Sequence, residues 1–220
     1  MQRIHQSSMN KIVENIIIVC DYGFINGGAA KVAIRSAIEL AEKNYNVFFY
    51  SAVGPLCQEL KRSKVSCDCM NESDINNEKK LKAAIKGIWN RRAARDFKKY
   101  LDNFDRKNTV VHFHSWTKAL SVSVIYEAIN KRFKIVITLH DYFAVCPNGG
   151  LYNYQKNCLC YRKPMSFSCI FCNCDKRNYF QKLWRVIRQF KTDKYIKRNK
   201  DIFFVSISEL NENLVKKHVK

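Results

Sequence analysis

Five runs along the chain are apolar at almost every position, and the segments between them change to helical spacing. Asn15 to Asp21 (NIIIVCD), Asn46 to Ala52 (NVFFYSA), Thr109 to His114 (TVVHFH), Phe133 to Leu139 and Asp201 to Ile207 (DIFFVSI) each read as a strand. A strand with one solvated face alternates apolar and polar residues, whereas these runs are apolar on both faces and so predict burial on both. From Gly28 the residues Val32, Ala33, Ser36, Ala37 and Leu40 recur at helical spacing, and a second helix is expected from about Thr117 to Asn130. VSCDCM, between the second and third runs, reads as a further short strand. Strands covered on both faces and separated by helices predict a parallel sheet of the doubly wound, Rossmann-like α/β class.

Two more segments are helical by spacing and strongly basic. Leu81, Ile85, Ile88 or Trp89, Ala93, Phe97 and Leu101 line one face of the first, and Phe180, Leu183 or Trp184, Ile187 and Phe190 one face of the second. Lys79 to Lys99 holds nine Lys and Arg against one Asp, and Lys176 to Lys200 holds ten against one Asp, so the net charge of +20 is mostly local. A charged helix back is usually just a solvated face. Two with tryptophan at the polar boundary fit an anionic membrane surface, with Lys86, Trp89, Arg92, Trp184, Arg185 and Arg188 as the expected contacts. The domain plan is a tail at 1–13, then one domain over 14–220 that includes a Cys-rich loop at 141–176 and a basic helix at 177–200.

Composition narrows the class. A hydrophobic share of 47% supports a folded core. The apolar runs fall short of the ~18–20 residues of a membrane helix, and the first fifteen residues lack the apolar core of a secretory signal. The expected location is cytoplasmic, peripheral at the inner membrane face. In that compartment ten cysteines read as free thiols or metal ligands rather than disulfides. Cys158-Leu-Cys160 and Cys169-Ile-Phe-Cys172 have the close spacing that sets two thiolates on one zinc, so Cys158, Cys160, Cys169 and Cys172 are candidate ligands of a structural zinc. The alternative is a free-thiol loop packed on the domain.

Candidate chemistry gathers at strand ends. In open α/β sheets ligands bind beyond the carboxyl ends of the strands. The first strand runs into Gly27-Gly28, the third into His112-Phe-His114-Ser115-Trp116, and the fourth into His140-Asp141. A glycine pair before a helix lets backbone N–H groups approach an anion, or simply makes a tight turn; it is neither a dinucleotide fingerprint nor a P-loop. Two histidines at neighbouring strand ends point to function more than one alone would.

Taken in order, NIIIVCDYGFINGGAAKVAIRSAIELAEKNYNVFFYSA, VVHFHSW, ITLHDYFAVCPNGGLYN and FFVSISELN resemble the N-terminal lobe of the large retaining glycosyltransferase family of the GT-B fold, family four of that classification. The resemblance covers about residues 14 to 215, and its most specific element is LHD, an aromatic pair, then C-P-x-G-G-L. It implies two facing Rossmann-like lobes, an acceptor held mainly by this one and a nucleotide-sugar donor held mainly by the other. Carried over, Gly27 and Gly28 approach the donor diphosphate or acceptor, His140 sits beside the transferred sugar, and His114 lies toward the acceptor with Ser115. Asp141 orients His140 or its loop, and Asn148 and Gly149 join the binding set. The implied reaction retains anomeric configuration with no enzymic nucleophile and no catalytic metal, and its acceptor is a lipid-linked or polysaccharide glycan.

The chain stops at Lys220, before the second lobe with its paired glutamates, so no transfer is expected from these residues unless another chain supplies that lobe. Two competing readings stand beside this one. A basic, zinc-containing nucleic-acid binder explains the charge and the cysteines but not the strand-end histidines. A folded inactive remnant predicts no ligand.

Overall fold

The computed structural model of the chain describes residues 13–74, 78–197 and 199–218. Its centre is a six-stranded sheet of β1 (Asn15–Tyr22), β2 (Asn46–Val53), β3 (Ser66–Cys69), β4 (Thr109–Phe113), β5 (Lys134–Leu139) and, last in the chain, β8 (Ile202–Ser206). The order across the sheet is β3-β2-β1-β4-β5-β8, and every neighbouring pair is parallel. This is the expected doubly wound α/β arrangement, whose order reverses between β1 and β4.

Polar residues at the amino edge set the register. Asn15 lies level with Asn46 on β2 and Thr109 on β4. Its amide donates to Thr109 Oγ1 at 3.3 Å, and the Asn46 amide donates to Asn15 Oδ1 at 3.2 Å. Side chains alternate across a strand, so fixing this edge sends alternate residues to opposite layers. Ile17, Val19, Tyr50, Val111, Phe113, Ile135 and Ile137 join one core with α4 (Arg91–Leu101) and α5 (Ser123–Asn130). Ile18, Cys20, Val47 and Phe49 join the other with α1 (Gly28–Glu42) and α2 (Gln58–Arg62). On its buried side α1 presents Ala30, Ala33, Ala37 and Ala41, small residues that let helix and sheet approach closely. Outer strand β8 leaves Phe203 and Val205 exposed.

Three expected helices differ in extent, each for a local reason. The helix anticipated from Thr117 starts only at Ser123, because residues 118–120 form a turn gripped by the Asp21 carboxylate and Ser121 takes a left-handed φ of 65°. The first basic helix is two: α3 (Lys80–Ile88) and α4, separated where Trp89 turns extended. Asn90 then caps α4, its side-chain oxygen accepting from the N–H groups of Arg92 and Ala93, each at 3.1 Å. The second basic helix, α7 (Tyr179–Tyr195), is shorter than 177–200 and is capped by Asn178, which accepts from Gln181 N–H. Between β5 and α7 the Cys-rich excursion forms a two-stranded ribbon, β6 (Tyr152–Asn153) with β7 (Cys158–Leu159), and a single helical turn, α6 (Phe167–Ile170). The last helix is α8 (Glu209–Val215). Among the described residues no helix is long and apolar enough to cross a membrane.

Candidate functional site

Parallel register brings the carboxyl ends of β1, β4 and β5 together. His114 N–H donates to Val19 O at 2.9 Å, extending β4 beside β1 by one residue. Ser115 closes that corner: its hydroxyl accepts from Asp21 N–H at 3.1 Å and lies 3.3 Å from Cys20 Sγ. Asp21, wholly buried, accepts N–H bonds from Lys118 (3.0 Å), Ala119 (2.8 Å) and Leu120 (3.0 Å). Burial nonetheless raises its pKa, with the three N–H bonds opposing that rise. Asp21 and Ser115 therefore shape the floor.

Three histidines stand along it. His112 Nε2 lies 2.7 Å from Thr138 Oγ1, and His114 Nδ1 lies 3.0 Å from His140 Nε2. The His112 and His114 rings are 4.2 Å apart, those of His114 and His140 5.2 Å apart and stacked. Burial, with neighbouring imidazoles adding to it, pushes His112 down to about 4 and His114 to about 2. Burial alone lowers His140. All three rings are neutral at pH 7. A narrow crevice is lined here by His114, Ser115, Trp116, Thr117, Thr138, Leu139, His140 and Asp141.

Asp141 is exposed at the lip of the crevice but walled by protein on its other sides, and this crowding raises its pKa. One of its oxygens accepts from Phe143 N–H at 2.9 Å, so it orients the loop. His140 is contacted instead by His114. Gly27, at φ 130°, precedes α1, and neither it nor Gly28 has any atom within 4 Å of where a Cβ would stand. The glycine turn is open, but it does not line the crevice.

Asn148 and Gly149 have other work. The buried Asn148 amide donates to Tyr152 O (2.8 Å) and Cys174 O (3.0 Å), and its oxygen accepts from Gly150 N–H (3.0 Å) and the Cys146 thiol (3.1 Å). Gly149, at φ 72°, leaves no room for a Cβ, which would stand 2.5 Å from the Phe143 ring. Both hold the excursion together, and their polar groups are not offered to a ligand.

Most of the six expected surface contacts are paired or packed within the fold, and Arg92 stays exposed. Lys86 pairs with Glu72 (3.0 Å) and Glu78 (2.7 Å), Arg92 with Glu72 (3.3 Å), and Arg185 with buried Asp175 (3.2 Å). Trp184 donates from its indole to Ala84 O at 3.0 Å, joining α7 to α3, and Trp89 packs on Tyr126 and Tyr195. Arg188 is buried over the Phe143 ring, 4.5 Å from its centre, and burial with nearby Arg185 lowers it to about 10. Leu81, Ile85, Phe180, Ile187 and Phe190 are exposed on these helices beside cations such as Lys82, Arg91 and Lys191. A groove of about 660 Å³ between them is lined by Ile85, Ile88, Trp89, Arg91, Lys191 and Tyr195. It is larger than the strand-end crevice, and its polar lining is two cations and a tyrosine, with no histidine or carboxylate among its lining residues.

The candidate zinc ligands differ in exposure. Cys158 is exposed on β7, Cys160 and Cys172 are half-buried, and buried Cys169 faces Lys182 Nζ at 3.6 Å. Among the described residues no three His, Cys, Asp or Glu gather as a metal's donor set. What the sequence reading missed here is Lys182, without exposed surface and 3.2 Å from Cys174 Sγ. Thr138 was also missed, though it stands two residues before His140 and so shares its side of β5. The sequence matches no model of a known protein family and no curated protein.

Proposed function

We propose that this chain is the N-terminal, acceptor-side lobe of a retaining GT-B glycosyltransferase, which transfers a sugar from a nucleotide-sugar to a lipid-linked or polysaccharide acceptor. The observation that carries this reading is the convergence of His114, His140 and Asp141 on the carboxyl edge of the sheet, the edge at which β1 runs on toward the open glycine turn. A donor diphosphate would approach the amino end of α1, where unpaired N–H groups and the helix dipole favour negative charge. Retention then needs no nucleophile from this lobe: the departing diphosphate takes the proton of the acceptor hydroxyl on the same face of the sugar. The task left to His140 is hydrogen bonding to the sugar, and to the crevice the exclusion of competing orientations.

The surface favours a lipid over a nucleic acid as the anionic partner. Leu81, Ile85, Phe180, Ile187 and Phe190 are exposed among cations such as Lys82, Arg91 and Lys191. Apolar side chains gain from entering a headgroup layer, whereas a phosphodiester groove asks for cations, and several of those are already paired or buried. The reading requires a second, donor-binding lobe, held in the same or another polypeptide. The test is transfer of labelled sugar to membrane lipids by this chain together with such a lobe. Transfer with both and none with either alone is expected. No transfer by any combination, with binding to duplex DNA, would move the nucleic-acid reading ahead.

A further inference from the structure

His114 is 3% exposed, and its ring meets no carboxylate that would stabilise a second proton. Its two nitrogens differ in what they meet: Nδ1 faces His140 Nε2 at 3.0 Å, while Nε2 is buried with no hydrogen-bond partner among the described residues. With both rings neutral and this 3.0 Å contact a hydrogen bond, one proton lies between them, and two tautomer pairs satisfy it.

In the first, the proton is on His140 Nε2. His114 Nδ1 is then bare, so the His114 proton must sit on Nε2 as a buried N–H with no acceptor. In the second, the proton is on His114 Nδ1 and is donated to a bare His140 Nε2; the orphan at His114 Nε2 is then only a lone pair. A buried N–H without an acceptor is the rarer of these two defects in folded proteins, so the second arrangement is the more stable. It leaves the His140 proton on Nδ1, the nitrogen that His114 does not engage.

We propose that His114 is a positioning residue that fixes His140 in the Nδ1–H tautomer, so that His140 offers a ligand in the crevice a hydrogen-bond donor and no base. The sequence resemblance had His114 toward the acceptor; the geometry turns it toward His140. The consequence for sugar transfer rests on the proposed transferase reading: His140 would donate to a sugar or leaving-group oxygen, and deprotonation of the acceptor would fall to the leaving diphosphate. The tautomer itself depends on no substrate.

The experiment is long-range proton–nitrogen correlation of the imidazoles in the nitrogen-15-labelled full chain at neutral pH, with His140 assigned by the signals lost in His140→Ala. His140 should show a protonated-type shift at Nδ1 and a bare-type shift at Nε2. In His114→Ala the His140 shifts should move toward the Nε2–H form. His114→Asn, whose amide nitrogen falls near the place of Nδ1, should restore the wild-type pattern, a rescue that mere space-filling would not give. A His140 proton on Nε2 in the wild type overturns the proposal, as does a His140 pattern indifferent to His114→Ala. Should His114→Ala fail to fold, the wild-type and His114→Asn spectra decide the matter. An Nδ1–H His140 in a protein that never transfers sugar would sink the transferase reading and leave the positioning role; the opposite tautomer in an active transferase would do the reverse.

Discussion

The Asp21 side chain has no exposed surface, yet its carboxylate satisfies three consecutive backbone N–H groups and so fixes the turn that carries Trp116 and Thr117 into the crevice. Asp21→Ala orphans all three, and an unpaired buried donor costs ~1–3 kcal/mol, so a loss of ~3 kcal/mol or more is expected in urea unfolding. Because burial raises the Asp21 pKa, the neutral isostere Asp21→Asn should lose less. The histidines give a pH dependence of opposite cause. In the fold His112 holds its proton only below about 4 and His114 only below about 2, against about 6.5 when unfolded. Between about 6.5 and 4 the unfolded chain binds protons that the fold refuses, so these residues take stability away as the pH falls through that window. A His112→Leu, His114→Phe variant, followed by denaturant titration from pH 7 to 4, should show a shallower decline than the wild type. Lys182 offers a third test: its buried ammonium faces thiol sulfurs rather than a carboxylate, so Lys182→Met should match or raise the melting temperature. His140 and His114 were legible as strand-end groups, but the bond between them was not, because alternation tells which side of a strand a residue takes and not what it meets.

At the scale of elements, helix breaks are set by side chains that hydropathy ignores. The apolar spacing from Leu81 to Leu101 runs on through Asn90, yet the chain breaks there because the Asn90 oxygen caps α4 while its amide donates to Ala119 O at 2.7 Å. Asn90→Ala should cost the cap, ~1 kcal/mol, together with the bond to Ala119, giving roughly 2 kcal/mol in all by thermal or urea unfolding. The same logic shortens α5, whose apolar stripe extends back to a turn that Asp21 holds out of helical geometry. Strands were read to within about a residue at each end, since burial on both faces leaves little but apolar residues to write them with. Long-range partners were the illegible part: Glu72 and Glu78 take up Lys86, and Asp175 takes up Arg185, so a charge count overstated the cationic surface.

At the scale of the whole molecule, the strand order reverses between β1 and β4, the histidine-lined crevice opens at the carboxyl ends of β4 and β5, and the basic helices α3 and α7 pack on one another elsewhere. If that second surface meets an anionic leaflet, Leu81→Glu with Phe180→Glu should abolish flotation with anionic vesicles while leaving the fold intact, because both side chains are exposed. Persistence of flotation in that variant would place the lipid contact elsewhere. The measurement that bears most directly on the crevice is sugar transfer by His140→Ala, assayed with a donor-binding lobe and compared with Phe203→Ser on the exposed face of β8. His140→Ala should lower transfer by ~10²–10³, the scale of losing one preorganised hydrogen-bond donor, and Phe203→Ser should leave it unchanged. Transfer at the wild-type rate by a folded His140→Ala protein would contradict the role given to His140.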